Sequence, residues 1–233
     1  MLDAALALRT AWTDVLDQLD LSSITSLVMG GEAAEITADT FPLPVADSED
    51  SLVTLGTDAP AIRDDATPTS TGLEGTSVDA FAFLEGAAHP GELDAVVSEA
   101  RRIVRPGGVV VLGELDREAV LTGTASTRRS AAFHRTVGLD MPSRPGAVAP
   151  TATALVRGRI SNVESTKRLL PLAAFSDAEA YVSAAFGGMW FGVERLSVAD
   201  RASLERSLLR DLRSEVFPLV EFRPWIISRG IRP

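Results

Sequence analysis

The chain has 233 residues, 45% of them hydrophobic and 23% charged, with a formal net charge of −10, which suits one globular α/β domain with extensions. It has no cysteine and only two histidines, His89 and His134. This excludes disulfides, thiolate catalysis and thiolate metal sites, and the histidine spacing suggests no metal ligand set. An acidic surface repels phosphate backbones, so no nucleic-acid partner is expected, and no apolar run approaches the ~20 residues of a membrane span.

In chain order, Leu2 to Leu19 reads as a helix, with Leu2, Leu6, Trp12, Leu16 and Leu19 at helical spacing. Ile24 to Met29 is a short apolar run of the kind a buried parallel strand needs, and it ends in Gly30-Gly31. Glu32 to Thr40 could form a short helix. Phe41 to Asp50 cannot extend that helix, because two prolines and a run of acids break it. Ser51 to Leu55 is a second strand, followed by Gly56-Thr57-Asp58, and the polar stretch Ala61 to Thr76 reads as loop.

Val78 to Leu84 is a third strand. Gly91 to Val104 is the clearest helix, with Leu93, Val96, Val97, Ala100 and Ile103 on one face. Arg105-Pro106-Gly107-Gly108 stops it, and Val109 to Leu112 follows as a strand. Strand, helix, tight turn and strand in succession make a βαβ unit with a right-handed crossover. Beyond it, 116–132 reads as partly helical, 137–151 as irregular and 154–168 as holding a strand. Ser176 with Glu179 predicts a capping box for a helix to Phe186. Val198 to Val216 is a further helix, and Val220 to Ile231 ends in a strand, Pro224 to Ser228.

The stretch Val78 to Glu114 resembles the middle of the class I S-adenosylmethionine-dependent methyltransferases, from fourth strand through helix to fifth strand. The turn Val104-Arg105-Pro106-Gly107-Gly108 is similar to that family's (L/V)-(R/K)-P-G-G, and Pro224 to Arg229 resembles its antiparallel last strand. The resemblance implies a three-layer Rossmann-like fold: a mostly parallel sheet, helices on both faces and an antiparallel C-terminal edge strand. It implies one domain over 1–233, with 116–197 as an insertion or lid.

It also implies a site. Gly30 and Gly31 stand where the family's glycine loop approaches S-adenosylmethionine. Asp58 stands where an acid binds the ribose hydroxyls. Arg63-Asp64-Asp65-Ala66 resembles the segment whose Asp, here Asp65, accepts from the adenine amino group. Leu84 borders the cofactor, Glu85 lines the site, and His89 is placed to act as general base toward a small-molecule acceptor. The first loop differs from the family's pattern: Met29 replaces its acid, and Glu32 and Ala34 take the places of the second and third glycines.

Two functions follow as expectations. One is methyl transfer from S-adenosylmethionine to a small-molecule acceptor, in which alignment carries much of the catalysis. The other is a degenerate methyltransferase serving as a non-catalytic binding protein, with a protein partner or a second copy of the chain. The residues Met1-Leu2-Asp3 lack the basic start of a signal peptide, so a cytoplasmic location is expected. A nicotinamide dehydrogenase would need G-x-G-x-x-G after the first strand, and a serine hydrolase G-x-S-x-G; neither is present.

Overall fold

The computed structural model describes residues 12–13, 15–20, 22–31, 34, 42–49, 52–85, 90–115, 149–189, 193 and 196–233. Residues 2–11 of the expected helix over 2–19, most of the expected helix over 32–40, the expected partial helix over 116–132, and His89 and His134 lie outside them.

The described strands are β1 (Leu27–Gly31), β2 (Val45–Glu49), β3 (Leu52–Leu55), β4 (Val78–Glu85), β5 (Val104–Leu115), β6 (Ser161–Phe175) and β7 (Leu219–Ile231). They form one seven-stranded sheet in the order β2-β3-β1-β4-β5-β7-β6. The described helices are α1 (Pro90–Ile103), α2 (Pro150–Arg157), α3 (Ala178–Ala184) and α4 (Val198–Leu212). The fold is the expected Rossmann-like α/β one. Its centre is the parallel block β1-β4-β5, and β7 runs antiparallel along β5, from Val109 opposite Ile231 to Leu115 opposite Trp225.

By its contacts the chain divides into two compact units, 8–115 with 146–168 and 225–233, and 1–7 with 116–145 and 169–224. The first has three layers. Side chains alternate across a strand, so each strand feeds both faces. On one face Val28, Phe81, Phe83, Val110 and Leu112 pack with Leu93, Val96, Val97, Ala100 and Ile103 of α1 and with Ala154 and Leu155 of α2. At roughly 1.5–3 kcal/mol per fully buried large apolar side chain, this stripe alone fixes α1 to the sheet. On the opposite face lie the helical residues around 12–16; an ideal Cβ on Gly113 would come 3.0 Å from Val15.

In the second unit, Tyr181, Val182, Phe186, Leu208 and Leu212 form a core of their own. The ring of Phe175 stands edge-on to Tyr181 at 5.0 Å, and the Tyr181 hydroxyl donates to Glu221 Oε2 at 2.9 Å.

The βαβ unit is as expected. Its turn is held from both sides: Gly107, at φ 84, donates its N–H to Arg232 O at 2.8 Å, and Arg232 N donates to Gly108 O at 2.9 Å. Val78 lies opposite Val104 and Ala80 opposite Val109, so the Arg-Pro-Gly-Gly residues bulge out of an otherwise continuous ladder.

Four local readings change. Residues 45–49, read only as part of a helix-breaking stretch, form a strand: their acids sit at the sheet margin, where charge costs little. Residues 150–157, split between an irregular stretch and a strand in the sequence reading, are the helix α2, with Pro150 in its first turn. The strand expected over 154–168 begins only at Ser161. The cap of α3 is Asp177, which accepts from Ala180 N at 2.8 Å, while Ser176 donates to Asp177 Oδ2 at 2.8 Å.

Direction matters most at β3. Its residues Leu55 to Leu52 face Leu27 to Gly30, so β3 runs antiparallel to β1, and β2 runs antiparallel to β3. β3 therefore ends at the edge where β4 begins. Residues 56–77 make the connection as an excursion over the α1 face, needing no crossover helix. Ala66 and Leu73 of this loop join the core there. Glu99 of α1 anchors it, accepting from Thr71 N at 2.8 Å and Thr71 Oγ1 at 2.6 Å while paired with Arg102.

At the amino ends of the parallel strands, Asp79 ties β4 to the start of β1. Its Oδ2 accepts from Thr25 N at 2.8 Å and Ser26 N at 3.0 Å, and its Oδ1 lies 3.0 Å from Arg105 Nε. Burial alone would raise the Asp79 pKa; the hydrogen bonds from Thr25 and Ser26 and the charge of Arg105 outweigh it, and the net shift is downward. Glu99 is also lowered, with burial opposed by Arg102 and Thr71. A depressed folded-state pKa gives a contribution that is complete above the unfolded value of about 4 and is lost as pH falls through the folded value. Asp79→Asn is expected to cost about 1–3 kcal/mol at neutral pH. In urea titrations from neutral pH to about pH 3, its stability should fall less steeply with acid than that of the parent; equal slopes would show that Asp79 is not an acid-sensitive tie.

Candidate functional site

In an open α/β sheet, ligands bind outside the carboxyl ends of the parallel strands, where the chain leaves adjacent strands in opposite directions. β1 and β4 meet this condition. From β1 the chain passes to the β2–β3 hairpin on one side, and from β4 it passes through α1 to β5 on the other.

The three carboxyl ends lie level. Gly31 is opposite Leu84, Leu84 opposite Gly113, and Glu85 opposite Glu114. Gly31 has φ 99, and an ideal Cβ there would lie 2.2 Å from the Leu84 carbonyl oxygen. Only glycine lets the end of β1 lie so close to β4 in this conformation. A Cβ on Gly30 would meet Pro68 at 3.1 Å, so the 56–77 loop reaches this glycine from the α1 face. Both glycines thus answer to contacts within their own chain.

Glu114 was not singled out by the sequence reading. Its Oε1 accepts from Thr151 N and from Thr151 Oγ1, both at 2.9 Å, which fastens the first turn of α2 to the end of β5. The chain continues inward: Thr151 Oγ1 and Ser228 Oγ are 2.8 Å apart, as are Ser228 Oγ and Ser165 Oγ. Thr151 and Ser228 are fully buried, so these hydroxyls satisfy one another away from water. The only sequence signal was an acid directly after the apolar run of β5.

Of the expected residues, Gly30, Gly31, Leu84 and Glu85 gather at the switch point. Leu84 is fully buried, and Glu85 closes β4. Asp65 is exposed in a turn closed by Ala66 N donating to Arg63 O at 2.9 Å, in the loop that reaches Gly30 through Pro68.

Asp58 does not share that edge. Because β3 is antiparallel, Leu55 faces Leu27, and Asp58 N donates to Thr25 O at 3.2 Å, just before β1 begins. A full strand separates Asp58 from Gly31. The end of β2 comes to the switch-point edge instead: Glu49 faces Leu52, which faces Gly30. Glu49 is the acid that the ladder brings level with the glycine pair. A run of acids just before a short apolar strand was the signal for that hairpin. Among the described residues no cluster of His, Asp and Glu could hold a metal ion, and no helix is long and apolar enough to cross a membrane.

No family model matches the chain, and no curated protein matches it. Solved structures do. One is a protein of Anaeromyxobacter dehalogenans assigned as a type II methyltransferase, at 21% identity over 74% of this chain and 72% of that one, with a TM-score of 0.45. Another is a protein of Bacillus halodurans C-125 assigned as a methyltransferase, at 11% identity over 95% and 99%, with a TM-score of 0.42. A third is geranyl diphosphate methyltransferase in complex with S-adenosylmethionine, at 13% identity and a TM-score of 0.30. The chain spans 57% of that protein's length.

Gly31→Ala is expected to lose about 2–4 kcal/mol of stability, since it combines a left-handed backbone with a backbone clash. Denaturant unfolding would measure this; a loss below about 0.5 kcal/mol would mean that β1 and β4 separate readily at this edge.

Proposed function

We propose that the chain is an S-adenosylmethionine-dependent methyltransferase of a small-molecule acceptor, with its cofactor at the carboxyl end of the β1/β4 pair. The observation that carries this reading is the switch point itself, where Gly31, Leu84 and Glu85 lie level and Glu49 stands at the same level on β2, with β3 between. Glu49 is assigned to the vicinal ribose hydroxyls of the cofactor, since one carboxylate can accept from two donors. Asp58 does not take that role in this reading.

S-adenosylmethionine supplies an electrophilic methyl group on a sulfonium. The work left to the chain is to hold methyl and acceptor in line, for which few reactive side chains are needed. Leu84 contributes an apolar wall. Asp65 is assigned to the adenine amino group, a role supported by its loop reaching Gly30. Glu85 and His89 are assigned to the acceptor side, where one of them takes the proton released as the acceptor is methylated.

A second reading, a non-catalytic protein of methyltransferase fold that binds a protein partner or its own copy, is favoured by one observation. The space beside both glycines is filled from within the chain, by Pro68 and by Leu84.

Isothermal titration with S-adenosylmethionine and S-adenosylhomocysteine separates the two. Saturable binding is expected, unchanged in Asp58→Asn and weakened about tenfold or more in Glu49→Gln, the loss of a hydrogen bond to a charged group. Absence of heat up to millimolar ligand would sink the enzyme reading and leave the second.

A further inference from the structure

The opposite edge of the sheet carries a second site. An open cleft of about 460 Å³ is lined by Arg101 and Arg102 at the end of α1, Arg157, Gly158 and Arg159 at the end of α2, and Arg232, with Asp94 and Ser98 on its wall. Five guanidinium groups converge on one cleft of a chain whose net charge is −10. Two are committed: Arg102 to Glu99 at 2.6 Å and Arg157 to Asp94 at 3.4 Å. Arg232 donates to Val104 O and keeps further donors. Arg101 and Arg159 are exposed and have no partner among the described residues.

Basic residues at helix carboxyl ends answer the helix dipole, and that accounts for Arg101 and Arg102 on α1 and Arg157 on α2. It does not account for Arg159. The end of α2 is a Schellman turn: Ile160 N donates to Leu155 O at 3.0 Å and Arg159 N to Val156 O at 3.0 Å. The position after the cap in that turn is left-handed and favours glycine. Here it is Arg159, at φ 57. A strained conformation that holds an unpaired guanidinium at a cleft already rich in arginine points to a ligand.

We propose that this cleft binds a small phosphate-bearing anion of the pyrophosphate type, held by Arg101, Arg159 and Arg232. Guanidinium forks match phosphate oxygens in pairs, and two uncommitted ones with the remaining donors of Arg232 suit two adjacent phosphoryl groups. The lining has no aromatic side chain, so the phosphoryl groups and not a stacked base are recognised. The cleft is a single concavity on an acidic protein, which disfavours a polynucleotide. Because it lies at the amino ends of the strands, it is independent of the methyl-transfer reading.

The test is isothermal titration of the full chain with inorganic pyrophosphate, inorganic phosphate and a short duplex DNA. Saturable binding is expected for pyrophosphate, weaker for phosphate, and declining with added salt. Arg101→Ala and Arg159→Gly should each weaken it about tenfold. Arg159→Gly should also raise the melting temperature, because glycine accepts the left-handed backbone; a merely structural Arg159 would not separate the two readouts. No saturable heat with pyrophosphate, binding unchanged in both variants, or tighter binding of the DNA would overturn the proposal.

Discussion

A parallel neighbour must be reached by a crossover that returns the chain to the starting edge of the sheet, and the strand that lies beside β1 on the β3 side is not parallel to it. There it takes an antiparallel strand, and the first half of the molecule is arranged around that choice. β2 and β3 can then be a hairpin, since an antiparallel pair needs only a short turn. The long return to β4 can be irregular, since both of its ends are already at one edge. Its cost is the burial of loop backbone on the α1 face, which Thr71, Ile62 and Ala66 meet with hydrogen bonds: Ile62 N donates to Asp47 Oδ2 at 2.9 Å and Thr71 N to Glu99.

The same choice separates the two edges chemically. At the carboxyl ends, the glycine at position 31 draws β1 against β4, and Glu114 fastens α2 through Thr151. At the amino ends, Asp79 gathers Thr25, Ser26 and Arg105 into one polar knot, and the helix ends bring arginines together. Each edge is held by a carboxylate accepting from backbone N–H groups, the stronger kind of hydrogen bond. Rigid strand ends of this sort are what ligand-binding loops require beneath them.

The unit from β4 through α1 to β5 was legible because its signals are local and agree: an apolar run, a helical stripe, a proline and two glycines. Strand β2 was not, because an edge strand can carry acids on both faces and so shows no apolar alternation. Helix α2 was hidden by its brevity and its threonines, whose β-branched side chains read as strand; Thr151 is there to bond Glu114, which no local pattern announces. Of the candidate site residues, those that follow the apolar runs of β1 and β4 were placed by the family resemblance, and they do lie at the ends of those strands. Asp58 was correctly read as following a strand, but the direction of that strand is set by its partner and leaves no trace in five residues of sequence. That one unseen reversal sets Asp58 at the amino edge of β1 and Glu49 level with Gly30.

Strand β2 also forms one margin of the sheet. A margin exposes a row of unpaired backbone groups to any passing strand, and here the row is followed by Asp47 and Glu49 on a chain that is acidic overall. Two copies approaching along this margin bring like charges together before their backbones can pair. At the other margin β6 carries Glu164, Lys167 and Arg168, a mixed set that interrupts any apolar stripe. The acids that break the helical pattern of residues 45–49 thus serve as gatekeepers against edge-to-edge aggregation.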